Sequence, residues 1–273
     1  MYAFKFERPT SVKQAAALLA ANEDAKILAG GHSLIPVMKQ RLAAPTVIVD
    51  LSKIEGLTGV SVSGDTVTIK AMTRHRAVAN SEELLAVMPA LASVPDSIGD
   101  PAVRGAGTIG GSVANNDPNA DYPAACLGLG ATIVTNKRKI PADDYFQGMY
   151  TTALEPDEII TEITFPIAEK AAYQKFKHPA SGFALVGVFV AKTPKGVRVA
   201  ATGAGSDGVF RVPEFEEALS KDFSAKAIEG ITLSADGMNT DIHGSAEYRA
   251  HLVGVMARRA VTAANERNGA VGK

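Results

Sequence analysis

Cysteine is almost absent from this 273-residue chain, which contains only Cys126. One thiol cannot form an internal disulfide, and by itself it cannot ligate an iron–sulfur cluster or a structural zinc ion. The five histidines show neither H-x-x-x-H nor H-E-x-x-H spacing, so no metal site is predicted. If the protein serves chemistry that needs a metal cluster, we expect another chain to carry that cluster.

Long hydrophobic runs and a large net charge are missing as well. The longest apolar run, from Phe183 to Ala191, is too short to cross a bilayer. A formal net charge of -1 argues against nucleic acid or an anionic membrane as the main partner. The segment from Met1 to Pro9 contains charges where a signal peptide needs an apolar core, so we expect a cytoplasmic protein.

A glycine pair, Gly30-Gly31, stands between a short apolar run at 26–28 and a helical stretch. Two residues without Cβ allow positive φ and let a bulky ligand approach main-chain N–H groups. Ser33 is a natural N-cap for the helix, so N–H donors and the positive helix end would point to a site for a phosphate. A tight turn without a ligand explains this stretch alone equally well.

A second glycine pair, Gly110-Gly111, is also followed by a small polar residue, and it lies in a glycine-rich stretch, residues 105–112, that we call the second glycine segment. Two such loops would hold the two phosphates of a dinucleotide between them, with positive φ at Gly31 and Gly110. Gly105, Gly107 and Gly110 also match G-x-G-x-x-G. No apolar strand precedes them and asparagines follow, so we reject a Rossmann site.

Acidic residues follow the second glycine pair. Asp117 and Asp121 imitate the start of a calcium loop, but Tyr122 replaces the required glycine and Gly128 the required glutamate. Asp121 is therefore a candidate to accept a hydrogen bond from a sugar hydroxyl. The alternative is an Asx turn with solvated carboxylates.

Two lysines, Lys175 and Lys177, flank Phe176 in a predicted strand, so both should point to the same face. A charged face on an edge strand is the simpler interpretation. The functional one is a lysine beside a flavin ring, where it would stabilise the negative charge of the reduced ring.

The pattern of apolar residues predicts an α+β protein that begins with a β-α-β unit over residues 1–54. A helix is expected over 12–19, with Ser11 and Gln14 at capping-box spacing, and a strand over 26–28.

A second part, residues 55–170, should open with a hairpin, because residues 60–63 and 66–70 alternate with period two. The third part, residues 171–273, shows strand-like runs followed by helical patterns. No internal repeat or low-complexity linker separates the parts.

The two glycine segments resemble the flavin-binding loops of a known family. Ala29-Gly30-Gly31-His32-Ser33-Leu34 and Thr108-Ile109-Gly110-Gly111-Ser112-Val113-Ala114, with Asp117-Pro118 and Asp121 after them, are similar to the FAD-carrying medium subunits of molybdenum hydroxylases, of the aerobic carbon monoxide dehydrogenase and xanthine dehydrogenase type. Ser245-Ala246-Glu247-Tyr248-Arg249 extends the resemblance. It implies a two-subdomain FAD-binding fold of the vanillyl-alcohol-oxidase type, followed by a small C-terminal domain of a sheet and helices.

The resemblance also implies a set of cofactor-binding residues and no catalytic residue in this chain. The pyrophosphate would be held by Ala29, Gly30, Gly31, His32 and Ser33 with Thr108, Ile109, Gly110, Gly111 and Ser112, and Leu34 is also expected to contact the cofactor. Asp121 would bind toward the ribityl and ribose hydroxyls, and Ile160 and Lys177 would lie near the flavin ring. The sequence departs from the family at Arg104-Gly105-Ala106-Gly107, where an asparagine and a second arginine are usual.

The implied function is electron transfer through noncovalently bound FAD. Iron–sulfur clusters would lie in a small subunit and molybdenum in a large one, in a dimer of heterotrimers that reaches the inner membrane only through the complex. An external acceptor would take the electrons. One alternative is a stand-alone FAD oxidase or reductase of the same fold, in which His32 would attach flavin covalently. Another is an interaction subunit without flavin.

Overall fold

The computed structural model describes residues 1–266 and contains three main sheets with helices between and around them. The last seven positions of the expected third part, 267–273, lie outside the described residues. The strands are β1 (Lys5–Glu7), β2 (Lys26–Leu28), β3 (Val47–Asp50), β4 (Val60–Ser63), β5 (Thr66–Lys70), β6 (Thr132–Thr135), β7 (Lys139–Pro141), β8 (Phe146–Gly148), β9 (Thr151–Thr152), β10 (Ile160–Pro166), β11 (Lys170–Lys177), β12 (Ala184–Thr193), β13 (Gly196–Gly205) and β14 (Gly208–Arg211). The α-helices are α1 (Val12–Ala20), α2 (Leu34–Lys39), α3 (His75–Ala79), α4 (Glu82–Val87), α5 (Pro89–Asp96), α6 (Pro101–Ala106), α7 (Ile109–Asn115), α8 (Tyr122–Leu129), α9 (Ala142–Tyr145), α10 (Pro213–Lys221) and α11 (Ala246–Glu266).

The first sheet is parallel, with strand order β1-β3-β2. Its central strand β3 is buried at every position, as expected for a short apolar strand between two neighbours. Ala15 and Leu19 of α1 pack against Val49 on one face. In this β-α-β arrangement, β2 is followed directly by the first glycine loop and then by α2.

The helix caps of this region follow the sequence prediction only in part. Ser11 Oγ accepts from Gln14 N–H at 3.2 Å, but the Gln14 side chain accepts from Thr10 N–H at 3.0 Å instead of closing the box on Ser11. Ser33 does precede α2, but the prediction that its side chain caps the helix is wrong. Ser33 has near-helical backbone angles, φ -108° and ψ -54°, and its hydroxyl makes no capping bond, because a capping side chain needs an extended backbone.

The second sheet is antiparallel, with strand order β4-β5-β10-β6-β7. The predicted hairpin of β4 and β5 is confirmed, with Val62 opposite Val67. Ile163 of the central strand β10 lies opposite Ile69 on one side and Ile133 on the other. Helices α3, α4, α5, α7 and α8 contribute buried residues to the apolar core on this sheet, and Ile109 of the second glycine segment belongs to the same core.

The third sheet, β11-β12-β13-β14, is antiparallel and is covered on both faces. On one face, Val253 and Met256 of α11 join the same apolar cluster as Val188. On the other face lies α8, which is buried at every position. The Cβ of any larger residue at Gly128 would meet Phe189 Cδ1 at 2.8 Å, so α8 lies directly on β12.

The first two sheets fall within residues 1–54 and 55–170, and the third begins at Lys170, one position before the predicted boundary, but the division into three separate units remains a prediction. Within residues 1–266, no helix combines the length and apolar character needed to span a bilayer.

Candidate functional site

The first glycine loop connects β2 to α2 and touches the second glycine segment. Gly31 has φ +74°, as predicted, a conformation that strains any residue with a side chain. A Cβ at Gly30 would collide with Ala106 O and lie 2.6 Å from Gly107 Cα. The two segments are therefore in direct backbone contact, as the hypothesis of a shared dinucleotide requires.

The first loop presents a row of unpaired backbone donors. None of the consecutive N–H groups from Gly30 to Leu34 donates a hydrogen bond to another group of residues 1–266. The loop is partly open, and the residues His32 and Ser33 at its tip are exposed. Successive N–H groups that lack an internal acceptor form a concave site for an anion.

The second segment uses its glycines differently from what the sequence predicts. Gly110 and Gly111 lie in the first turn of α7, and neither has positive φ, so the prediction for Gly110 is wrong. Gly110 N–H donates to Ala71 O at 2.8 Å, and Gly111 N–H donates to Thr108 Oγ1 at 3.1 Å. Glycine is needed at these two positions because the backbone of each packs closely against the groups that accept its hydrogen bond.

Two distances, each measured from the position that a Cβ would take, describe this close packing. A Cβ at Gly110 would lie 2.7 Å from both Ala71 Cβ and Ala71 O, so a larger residue would push α7 away from the end of β5. A Cβ at Gly111 would lie 3.7 Å from Ala29 Cβ. The start of α7 therefore faces the first loop, with buried Ile109 behind it and partly exposed Ser112 beside it.

His75 and Tyr122 form a buried polar pair beneath the second segment, which sequence analysis missed. His75 N–H donates to Gly107 O at 2.9 Å, and its ring lies 5.3 Å from that of Tyr122. His75 Nδ1 and the Tyr122 hydroxyl are buried and have no hydrogen-bond partner among residues 1–266. Burial lowers the pKa of His75 to about 4, with a further contribution from nearby His32, so the ring is neutral.

Asp121 lies next to Tyr122 and is bound on both carboxylate oxygens. Oδ1 accepts from the Tyr173 hydroxyl at 2.5 Å, and Oδ2 accepts from Lys175 Nζ at 3.0 Å. Only 5% of the Asp121 side chain and 3% of the Lys175 side chain are exposed. Burial raises the pKa of Asp121, while the Lys175 cation and the hydrogen bond from Tyr173 oppose that rise.

The solvated-carboxylate alternative is thus wrong for Asp121. It holds for Asp117, which forms the Asx turn by accepting from Asn119 N–H at 2.9 Å. No local sequence signal identifies the partners of Asp121, because Tyr173 and Lys175 come from β11, more than fifty positions further along the chain.

The predicted common face of Lys175 and Lys177 is not observed. The pairing of β11 with β12 shifts between Phe176 and Lys177, so the alternation of side chains is interrupted there. Lys175 turns inward to Asp121, and Lys177 is exposed at the end of the strand. Lys177 still lies close enough to lower the pKa of Asp121.

Ile160 lies at the start of β10 and is buried. The carbonyl of its neighbour Thr161 accepts from Ala71 N–H at 3.0 Å, and Ala71 O in turn accepts from Gly110 N–H. Ile160 is therefore adjacent to the second segment.

The segment that departs from the family pattern has internal contacts. The Arg104 guanidinium donates to the carbonyls of Ile98 and, at 3.2 Å, Gly99. A Cβ at Gly105 would meet nothing within 4 Å, whereas one at Gly107 would lie 2.6 Å from His75 Nε2. Gly107, rather than Gly105, is the position that the packing restricts.

Metal ligands are not gathered anywhere in the described residues 1–266, where no group of three or more His, Cys, Asp and Glu side chains could hold a metal ion. The one thiol, Cys126, is buried in α8, and burial raises its pKa. It is therefore a packing residue with no thiolate character.

Comparison with known proteins gives the same result from sequence and from structure. The family model described as the FAD binding domain in molybdopterin dehydrogenase matches residues 2–168. The carbon monoxide dehydrogenase medium chain of Afipia carboxidovorans is 40% identical over 284 residues, covering 97% of both chains. The nicotine 6-hydroxylase medium subunit of Paenarthrobacter nicotinovorans is 35% identical over 278 residues, covering 97% of this chain and 98% of that one.

The structure is similar to that of a carbon monoxide dehydrogenase from Hydrogenophaga pseudoflava that lacks the Mo-pyranopterin moiety of its molybdenum cofactor. The TM-score is 0.88 at 36% sequence identity, and the match covers 97% of this chain and 98% of the other.

Proposed function

This chain belongs to the family of FAD-binding domains of molybdopterin dehydrogenases, and from that membership we propose that it is the electron-transfer subunit of a heterotrimeric molybdenum hydroxylase. Its cofactor is FAD, and its relatives are FAD subunits of molybdenum-dependent dehydrogenases. When bound, FAD takes up electrons singly and releases them as a pair. The chain's own residues bind the cofactor, orient it and tune its charge.

One observation carries the proposal: the unpaired N–H groups from Gly30 to Leu34 lie in contact with the second glycine segment. A diphosphate needs several donors and close backbone approach, and this loop offers both. The residues present therefore fit the group. Gly30 allows the two backbones to lie this close, because a Cβ there would collide with the backbone of Ala106 and Gly107.

We assign the remaining site residues by their positions around this loop. The proposed diphosphate site consists of Ala29, Gly30, Gly31, His32, Ser33 and Leu34, with Thr108, Ile109, Gly110, Gly111 and Ser112. Asp121 accepts hydrogen bonds from sugar or ribityl hydroxyls. Ile160 and Lys177 lie toward the flavin ring, where the Lys177 cation stabilises negative charge on the ring.

The proposed complex places all metal chemistry on partner chains. A chain with one buried cysteine cannot hold a cluster, so iron–sulfur clusters belong to a small subunit and the molybdenum cofactor to a large one. Relatives named as medium chains or subunits support a multi-subunit assembly, which we propose to be a dimer of heterotrimers. It passes electrons to an external acceptor.

The finer structural and cellular assignments are part of the same proposal. We assign residues 1–54 and 55–170 to two subdomains of a vanillyl-alcohol-oxidase-type fold and residues 171–273 to the C-terminal domain. We place the protein in the cytoplasm, at the inner membrane only through its complex.

Acid precipitation of the purified protein tests how flavin is held. The flavin should stay in the supernatant in about equimolar amount, because the proposed site is built from backbone donors. Flavin in the pellet would favour the covalent oxidase alternative, for which His32 is the attachment residue. Protein that stays colourless after incubation with FAD would favour an interaction subunit.

Co-purification tests the electron-transfer role. The complex isolated from the source organism should contain a small subunit with iron–sulfur clusters and a large subunit with molybdenum. Its substrate should bleach the visible flavin absorbance under anaerobic conditions. Isolation of a flavin-loaded chain that reacts with substrate without partner chains would contradict the proposal.

A further inference from the structure

We propose that Tyr173 and Lys175 are positioning residues for FAD, which act from the C-terminal sheet by holding the Asp121 carboxylate ionised and oriented. This inference rests on the proposed function, because it concerns the residue assigned to the cofactor hydroxyls. It goes further in giving β11 a part in cofactor binding through side chains that do not themselves touch the cofactor.

The Asp121 carboxylate is held in one orientation by two donors. Each Asp121 oxygen receives its own donor, the Tyr173 hydroxyl on Oδ1 and Lys175 Nζ on Oδ2. The carboxylate is thus fixed in rotation, while each oxygen keeps a second lone pair for another donor. An orientation set in advance reduces the entropy that is lost when a ligand hydroxyl binds.

The Tyr173 hydroxyl is itself fixed by packing. Its ring stacks on that of Phe189 at 6.2 Å, and its hydroxyl lies above Gly187, where a Cβ would meet Tyr173 Cζ at 2.9 Å. A glycine in the middle of β12 thus makes room for the tyrosine that reaches Asp121. The donor to Oδ1 cannot swing away without disturbing the core.

The charge of the Asp121 carboxylate depends on the cations beside it. A carboxylate buried without a cation takes up a proton, because burial disfavours its charged form. The buried Lys175 cation opposes this for Asp121, and Asp121 in turn is the charged partner of Lys175, whose other acceptor is the Ser97 carbonyl at 3.4 Å. Lys177 adds a second cation nearby. Burial still raises the pKa of Asp121, and it is the 3.0 Å ion pair with Lys175 that favours a charged acceptor at this site.

Asp121 lies near the second glycine segment. Asp121 precedes Tyr122, whose ring packs on His75, and His75 lies directly beneath Gly107 of the second glycine segment. The carboxylate is thus on the cofactor side of the molecule, while Tyr173 and Lys175 belong to the third sheet. An ionised acceptor forms a stronger hydrogen bond with a hydroxyl than a protonated carboxyl does. Loss of the Lys175 cation should therefore weaken FAD binding most at low pH.

The test is a titration of the full-length apoprotein with FAD at several pH values. The main variant is Lys175→Met, which removes the cation and keeps most of the side-chain volume. The matched control is Lys192→Met, because Lys192 also forms a 3.0 Å ion pair from the third sheet, with Glu169, but on the exposed surface. Asp121→Asn removes the ionisable acceptor, and Lys175→Arg keeps the cation.

The wild type and Lys192→Met should bind FAD with the same affinity, constant between about pH 6 and 8. Lys175→Met should bind about tenfold more weakly at the low end of that range and recover as pH rises, because Asp121 without its ion-pair partner loses its proton only there. Asp121→Asn should be about tenfold weaker at every pH. Lys175→Arg should restore a flat pH profile, a result that a merely structural role of Lys175 would not produce.

Several results would overturn the inference. One is a pH profile of Lys175→Met that coincides with that of Lys192→Met; another is unchanged FAD binding by Asp121→Asn. If Lys175→Met does not fold, Tyr173→Phe decides, since it removes a single oxygen and should cost about fivefold in affinity. Unchanged affinity there would also count against the inference. A wild type that does not bind FAD at all would instead overturn the proposed function on which it rests.

Discussion

The two glycine segments look alike in sequence but differ in what their backbones leave free. The first, at Gly30-Gly31, has positive φ and a row of N–H groups without internal acceptors. The second, at Gly110-Gly111, is helical, and both of its N–H groups are already bonded. The first segment can offer donors to a ligand, whereas the second lets α7 approach Ala71 and the first loop.

A Gly-Gly pair therefore has two separate uses, which the sequence does not distinguish. One is conformational, where positive φ turns N–H groups outward. The other is steric, where the missing Cβ lets two backbones touch. Substitutions at matched glycine positions can distinguish the conformational use from the steric use.

Gly30→Val should have the largest effect, because the new side chain would collide with the backbone of Ala106 and Gly107. We expect loss of FAD binding and a decrease of about 1–3 kcal/mol in the free energy of unfolding. Urea denaturation and flavin titration measure the two. The control is Gly105→Ala, which meets nothing within 4 Å in helix α6 and should leave FAD bound. Retention of FAD by Gly30→Val would show that the two segments need not touch.

Acid should destabilise the protein through His75, beneath the second segment. Its pKa is about 4 in the folded chain and 6.5 when unperturbed, so the unfolded chain binds the proton first as pH falls. The free energy of unfolding should decrease by about 3 kcal/mol between pH 7 and pH 4 from this residue alone. His75→Gln should remove that part of the pH dependence, measured as the difference between the two urea-denaturation series. Identical series would contradict the burial of a neutral ring there.

Gly31→Ala should cost about 1–2 kcal/mol of stability, because alanine is strained at φ +74°. It should also weaken FAD binding, since relaxation of that strain would turn the N–H groups of the loop. Gly56→Ala is the matched control, because Gly56 has φ +76° with open space around its Cβ position. It should lose slightly less stability, because a Cβ at Gly31 also meets Ile35 Cδ1 at 2.6 Å, and it should keep full FAD affinity. Equal FAD affinity of the two variants would argue against a ligand at the first loop.

The smallest effects are expected at the starts of α7 and α2, where Thr108 and Ser33 precede the helices. Thr108→Ala should cost about 1 kcal/mol, because Thr108 Oγ1 accepts from Gly111 N–H. Ser33→Ala should change the free energy of unfolding by less than about 0.5 kcal/mol, because the Ser33 hydroxyl caps nothing. Thermal denaturation of both variants without FAD measures this difference. A similar cost for both would mean that the two helix starts are equivalent after all.

Local patterns were sufficient for the elements around the first loop. The strand at Lys26–Leu28, the helix from Val12 and the hairpin of β4 and β5 follow from apolar periodicity and are present. The contact between the glycine segments was also predicted, because a repeated Gly-Gly motif implied one shared ligand. Positive φ at Gly31 follows from its place in a strand-to-helix turn.

The errors arise where a distant part of the chain decides the local structure. Gly110 is helical because its N–H bonds to Ala71, nearly forty positions earlier. Lys175 turns inward because Asp121 needs a cation, and a shift in strand pairing separates it from Lys177. The residues around Asp121 in sequence predict a surface turn, but in the fold β11 covers it. Such pairings depend on the tertiary fold, and no spacing in the sequence encodes them.

Helix α8, buried along its whole length, has a consequence for how the chain can be divided. The matched family region ends at residue 168, but β12 and β13, which cover one side of this helix, come later. A fragment that stopped at 168 would expose an apolar helix to water and lose the partners of Asp121 at the same time. The sheet at β11–β14 thus covers one side of the cofactor-binding part, and any exchange of this sheet between relatives must preserve its fit to α8.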